Sequence, residues 1–298
     1  MYSHIVIPVD GSDEAAVAAR RGLELAATFD ATVDVLHVVE RNALRLTRGA
    51  DERERLRERG RDVLADVEAI ASELGRPVRT ELGEGKPAVQ IDEFAAERDA
   101  DLIVVGRQGA TGPRKRLLGG VTEQVLHRSD VPVFVVPGET QATGDAADYT
   151  RVLVPTDGSE NAEVASRHGA TIAREYDAAL HVLNVVDLQA EGGLFSAGGL
   201  ERDFVDRLEA RGREAVDRVA SDVREASPGL DVETAVVETR SFEGAAAGIR
   251  EYVADSGIDL VVMGSHGRSN LGRQLLGSVA STVLRTVDVP VLVVKRPP

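Results

Sequence analysis

Residues 5–12 read IVIPVDGS, and residues 152–159 read VLVPTDGS. Asp10 and Asp157 hold the same place in the two stretches, 147 residues apart. Farther along, DLIVVG (101–106) returns as DLVVMG (259–264), and VPVFVV (131–136) as VPVLVV (289–294), now 158 residues apart. Ordered matches over the whole unit mark an internal repeat, the feature that decides the fold before any single element does. The second copy is 11 residues longer in its middle, partly in the Gly-rich EGGLFSAGG at 191–199. A chain of 298 residues suits two domains of ordinary size. The polar segment PGETQATGDAADY (137–149) has the composition of a connector, which sets the expected domains at 1–137 and 150–298 with a linker at 138–149.

Within each copy, apolar runs alternate with helical patterns. The first copy predicts a strand at 4–9, an Ala-rich helix at 13–29 capped by Ser12, and a strand at 32–39. Residues 51–74 are highly charged, yet Leu56, Val63, Leu64, Val67, Ile70 and Leu74 form one helical stripe, so the charge reads as a solvated face. A short strand at 77–82, a helix at 87–98, a strand at 101–105, a helix at 116–129 and a strand at 131–136 complete the unit, and the second copy repeats the order. Alternation of this kind implies an α/β fold, a parallel sheet with helices on both faces. Ligands of such sheets bind beyond the carboxyl ends of the strands, where strand order reverses.

Composition removes several function classes. There is no Cys, which excludes disulfides, thiolate catalysis and zinc–sulfur sites. The six His (4, 37, 127, 168, 181 and 266) show no metal-ligand spacing and read as surface or core-edge residues. A net charge of −15 argues against a nucleic-acid surface, which needs clustered Lys and Arg. Of the 35 basic residues only Lys86, Lys115 and Lys295 are Lys. Acid excess with few Lys fits a high-salt cytoplasm, although a GC-rich genome would leave the same bias toward Arg and Ala. No apolar run is long enough to span a bilayer and no signal peptide is recognised, so a cytoplasmic location is expected.

An unusual loop follows the fourth strand of both copies. The second reads GSHGRSNLGRQLLGSVAS, with Gly264, Gly267 and then Gly277-Ser278. The first reads GRQGATGPRKRLLGGVTE, with Gly106, Gly109 and then Gly119-Gly120. Glycines let backbone N–H groups approach an anion, and a closing Gly-Ser at a helix N-terminus favours phosphate. Arg268 and Arg273 in one loop, and Arg107, Arg114, Lys115 and Arg116 in the other, add positive charge to an acidic chain. The plainer alternative is that the glycines only make tight turns. Asp10 and Asp157 end a strand ahead of Gly-Ser, where a carboxylate accepts from a base amine or ribose hydroxyl, or else closes an Asx-turn or helix cap.

The spacing G-x2-G-x9-G-S, after DLVVMG and before a helix and PVLVV, resembles the universal stress protein family, twice over and across nearly the whole chain. The resemblance implies tandem ATP-binding, flavodoxin-like (Rossmann-like) domains, each a five-stranded parallel sheet of order 3-2-1-4-5. It implies that Asp10, Asp157, Val39 and Val186 lie by the adenine. Ribose and phosphates would fall to Gly264, Gly267, Gly277, Ser278 and Val279 in the second copy, and to Gly106, Gly109, Gly119 and Gly120 in the first. Gly120 stands where the pattern has a hydroxyl residue, with Thr122 a nearby substitute. RSFEGAAAG (240–248) lacks the Gly-x-Pro-Ala turn of Gly85–Ala88. The second copy is therefore expected to bind ATP more reliably than the first.

No Walker lysine motif, early G-x-G-x-x-G or pyrophosphatase loop is present, and no general base stands beside the glycine loops. The expectation is a nucleotide-binding signalling module with no catalytic residues. The alternatives are a slow ATPase or nucleotide transferase using Asp10 or Asp157 with Mg²⁺, and a nucleotide-free interaction module. In the implied strand order the apolar fifth strands are edges, which predicts that the two copies cover each other there as an internal pseudo-dimer. Two chains could associate further as a homodimer. No membrane or nucleic-acid partner is expected.

Overall fold

Apolar runs of four to six residues become strands here because helices cover both faces of each sheet, so alternate residues need not be polar. A computed structural model describes residues 1–40, 50–109, 117–138, 148–192, 202–267 and 276–296. The chain divides into two compact units, Met1–Ala147 and Asp148–Pro298. The first contains β1 (His4–Val9), α1 (Asp13–Phe29), β2 (Thr32–Glu40), α2 (Ala50–Glu73), β3 (Arg79–Gly85), α3 (Pro87–Glu97), β4 (Leu102–Gly106), α4 (Gly120–Arg128) and β5 (Val133–Val136). The second contains β6 (Arg151–Pro155), α5 (Glu160–Glu175), β7 (Ala179–Asp187), α6 (Leu188–Gly192), α7 (Arg202–Ala226), β8 (Val232–Thr239), α8 (Ala245–Asp255), β9 (Leu260–Gly264), α9 (Ser278–Thr286) and β10 (Val291–Val294).

Within the first unit the strands run in the order β3-β2-β1-β4-β5, and within the second β8-β7-β6-β9-β10. Every pairing inside a unit is parallel, for example Ile5 with Val33 on one side and with Leu102 on the other. This is the order that the resemblance implied. Strand order reverses between β1 and β4, and between β6 and β9, the place where such sheets hold ligands, and Asp10 and Asp157 leave their strands there. α1 and α2 pack on one face of the first sheet, α3 and α4 on the other; α5 and α7, then α8 and α9, repeat this in the second.

Local chemistry explains the element ends. Ser12 and Ser159 cap α1 and α5, accepting from Ala15 N (3.1 Å) and Ala162 N (3.4 Å). In α2 the apolar stripe turns inward, with Leu64, Val67 and Ala71 buried, and the arginines and glutamates face water. Each unit closes its amino end with an edge-on aromatic pair, Tyr2 on Phe29 and Tyr149 on Tyr176, ring centroids 5.0 Å apart in both. Tyr149, at the end of the polar connector, is thus part of the second unit's core. Residues 139–147 of that connector lie outside the described residues.

Two expectations shift, and one weak local match proves no obstacle. β3 runs to Gly85 rather than 82, because its whole length pairs with β2 as far as Glu40–Gly85; a half-exposed strand carries little hydrophobic signal. α4 starts at Gly120 rather than 116, since Gly119 is extended (φ −64°, ψ 143°) and serves as its cap. α8 forms without the Gly-x-Pro-Ala turn, started by Gly244 at φ +59°, a conformation that glycine adopts at little cost. In the second copy β7 is followed by the short α6, and of the Gly-rich stretch 191–199 residues 193–199 lie outside the described residues.

Candidate functional site

Asp157 leaves β6 and turns at once through Gly158 (φ +75°) into α5. Its Oδ1 accepts from Ser159 N at 3.0 Å. Asp10 does the same with Ser12, whose N and Oγ donate to Oδ1 at 3.0 and 2.6 Å. The Asx-turn is real in both units, and it uses one carboxylate oxygen. The other oxygen faces the glycine loop. A Cβ on Gly267 would stand 2.5 Å from Asp157 Oδ2, and Gly109 meets Asp10 Oδ2 in the same way. Only a residue without a side chain lets the loop after the fourth strand close on the carboxylate after the first.

The remaining glycines support that closure. Gly264 passes over the backbone of Asn161, and Gly106 over that of Glu14. Gly277 N donates to Ser265 O, and Gly119 N to Arg107 O, both at 2.8 Å, so the far end of each loop folds back on its start. Gly277 and Gly119 then cap α9 and α4. The helical ladders begin with Ser281 N to Gly277 O and Glu123 N to Gly119 O. The N–H groups of Ser278, Val279 and Ala280, and of Gly120, Val121 and Thr122, therefore precede the ladder and point out of the helix end, where the dipole favours an anion. Ser278 is exposed at this end. Nothing lies within 4 Å of a Cβ built on Gly120, so the first unit has room for a serine that it lacks. Thr122 does not substitute for it: its hydroxyl is buried and donates to Gly106 O at 2.8 Å.

A cleft of about 200 Å³ in the second unit is lined by Asp157, Asn184, Val186, Asp187, Arg211 and Gly212, among others. It lies beside the switch point, and its size is below the ~300–1,000 Å³ of a complete small-molecule site, so it suits the base of a nucleotide and leaves the rest to the loop. A larger cleft of about 430 Å³, with Thr150, Arg151, Asp177, Asp231 and Glu233 on its walls, opens at the opposite, amino ends of the strands. That end has neither glycine loop nor helix N-terminus, and the smaller cleft is the better candidate. Val186 is 5% exposed and packs with Leu188 and Leu208; Val39 is buried likewise. Their side chains are core, which leaves the backbone as what they offer a ligand. Arg107 is buried, whereas Arg114, Lys115, Arg116, Arg268 and Arg273 lie outside the described residues.

Two further pairs of residues were not singled out from sequence, although the 147-residue offset that aligns Asp10 with Asp157 aligns them too. Glu14 accepts from Gln108 N at 2.8 Å, tying the first loop to α1; Asn161 does this in the second unit by donating to His266 O at 3.2 Å. His37 Nδ1 lies 2.9 Å from Val9 O, and Asn184 Nδ2 donates to Thr156 O at 2.7 Å. Of the other histidines, His181 is fully buried against Tyr252 rather than at the core edge.

Burial holds the His37 pKa below its ordinary 6.5, against the smaller opposing effects of the Val9 carbonyl and Asp10. The unfolded chain takes up a proton near pH 6.5 that the folded first unit resists. Stability linked to His37 is thus complete above pH 6.5 and is lost as pH falls toward the folded value. His37→Asn is expected to lessen the acid sensitivity of the first unit. Urea midpoints at pH 7.5 and 5.5 test this: an equal acid shift in both proteins would contradict it.

Known proteins share this family and fold. The profile of the Universal stress protein family matches residues 1–137 and 148–295. A universal stress protein of Methanocaldococcus jannaschii is 41% identical over 140 residues, covering 46% of this chain and 82% of that protein. One of Mycolicibacterium smegmatis is 29% identical over 303 residues, 98% of this chain and 96% of that protein. The crystal structure of a universal stress protein from Archaeoglobus fulgidus has the same fold, with a TM-score of 0.73 at 24% identity over 99% of this chain and 98% of that one.

Proposed function

The chain belongs to the universal stress protein family, and from that premise we propose that it is a nucleotide-dependent stress-response module whose second unit holds ATP. The observation that carries this reading is the closure of Gly267 on Asp157, which joins a base-sized cleft to the open N-terminus of α9. In this reading the adenine enters the cleft beside Asp157 and Val186. Gly264 and Gly267 leave space for the ribose, and Gly277, Ser278 and Val279 receive the phosphates. The residues fit such a ligand, because a Cβ on Gly267 or Gly277 would crowd Asp157 or Ser265. Among the described residues, no three His, Asp or Glu gather to hold an ion. Any Mg²⁺ would therefore arrive on the phosphates. A cytoplasmic setting, where ATP is at hand, suits this role.

The test is to denature the purified protein and identify released nucleotide by chromatography, with its stoichiometry per chain. One or two ATP per chain supports the reading; a protein that is empty and ignores added ATP and Mg²⁺ favours a nucleotide-free interaction module instead. Binding without efficient hydrolysis is the proposed state. A slow ATPase would instead show steady turnover that Asp157→Asn abolishes.

Ser278 separates the two units. Its hydroxyl at the first position of α9 adds one phosphate hydrogen bond, worth about 1 kcal/mol. Ser278→Ala is expected to weaken ATP binding by about that amount, and Gly120→Ser to strengthen binding in the first unit equally. Calorimetry on both variants checks this, and affinities unchanged in both would remove the hydroxyl from the site.

A further inference from the structure

His37 and Asn184 differ in chemistry but occupy one position, near the carboxyl end of the second strand of each unit. Each uses a donor on the backbone of the neighbouring strand. Thr156 O can only accept, so the Asn184 amide must turn its nitrogen toward it, and Oδ1 is left on the cleft side. Val9 O likewise can only accept, so neutral His37 carries its proton on Nδ1, and Nε2 is left as a lone-pair acceptor. Among the described residues, neither Asn184 Oδ1 nor His37 Nε2 has a hydrogen-bond partner.

Each acceptor lies against a glycine of the covering helix. A Cβ on Gly212 would lie 2.5 Å from Asn184 Oδ1, and one on Gly60 would lie 2.8 Å from His37 Cδ2 and 3.3 Å from Nε2. α7 and α2 thus press close to these groups without a side chain to cover them. Two different residues, with two different donors already committed, arrive at the same result: one unused acceptor beside the carboxylate of the switch point. If this position only tied strand to strand, the second polar atom would be dispensable, and an apolar neighbour could cover it.

We propose that Asn184 and His37 are specificity-determining residues that select a base carrying an exocyclic amine, an adenine, over one with a carbonyl at that place. The inference rests on the nucleotide reading above and deepens it. An amine donates to Oδ1 or Nε2; a 6-oxo group would set oxygen against acceptor, leaving both without a donor. A site built on such a bond rejects the mismatched analogue through unpaired polar groups rather than through shape.

ATP and ITP differ at this edge of the base and are the probes. Equilibrium binding of both to the full chain is expected to favour ATP by roughly 10-fold or more. The double variant His37→Leu/Asn184→Leu is expected to bring the ratio near one, with melting curves to confirm folding. The exchange variant His37→Asn/Asn184→His retains a donor and an acceptor at each position and is expected to keep the preference. It decides the matter even where the leucine variant fails to fold. A ratio unchanged by leucine, or lost equally on exchange, overturns the assignment, as does equal wild-type affinity for ATP and ITP. Equal affinity would leave nucleotide binding standing. A wild-type chain that binds neither nucleotide overturns the binding reading itself, and this inference with it.

Discussion

Gly267→Ala is expected to lower the affinity of the second unit for ATP by roughly 100-fold, the scale on which a misplacement of about 1 Å acts at a preorganised site. The added methyl would meet Asp157 Oδ2 at 2.5 Å. Either the loop lifts away from the carboxylate or Asp157 gives up its turn with Ser159, and both moves spoil the joint between cleft and helix end. The core beneath is not touched: β9 and α5 remain packed, so melting should shift only slightly. Gly109→Ala is the same experiment in the first unit, against Asp10. Calorimetry with ATP reads each unit's loss, and tight binding preserved in the Gly267 variant would place the ligand elsewhere.

Arg98→Met is expected to cost the first unit about 3 kcal/mol, since removing one partner leaves a buried charge undercompensated. Asp34 is 1% exposed. Its Oδ2 is held by His4 Nε2 at 2.7 Å and Arg98 Nη1 at 3.0 Å, whereas Oδ1 is buried with no hydrogen-bond partner among the described residues. Arg98 also reaches Glu81 at 2.6 Å and lies 4.5 Å above the ring of Phe94. Without it, His4 alone faces the carboxylate. Asp34→Leu in the same chain should restore much of the loss, because an apolar residue needs no partner in this position. Urea unfolding of the two single variants and the double variant measures the coupling; additive effects would mean that the pair is solvated and does not interact. The second unit has His181 at the equivalent place, bonded to Tyr252 at 3.0 Å, so the position need not hold a carboxylate.

Much of this is legible in the sequence, and for identifiable reasons. Asp-Gly-Ser after an apolar run encodes strand, turn and cap within a few residues, and α1 and α5 start where those residues place them. The repeat made the two units plain, because matching apolar runs at a constant offset carry long-range order in one dimension. The loop glycines were visible as spacing, and Gly277 and Gly119 do cap helices. What failed locally was also local in cause. β3 has a weak apolar signal because it is half exposed, and the hydroxyl of Thr122 looked available until Gly106 O was seen to accept it.

The sequence by itself determined the α/β alternation, the duplication, and the class of loop, since each depends on neighbours within a few residues or on a repeated pattern. Only the tertiary structure decided which of those residues meet. Gly267 and Asp157 are 110 positions apart in the chain, and parallel pairing of β6 with β9 brings them into contact. The same packing turned Val39 and Val186 inward and left acceptors of His37 and Asn184 without partners among the described residues. A side chain's role at a switch point depends on strand order and on the nearness of the covering helix, neither of which acts between residues adjacent in sequence.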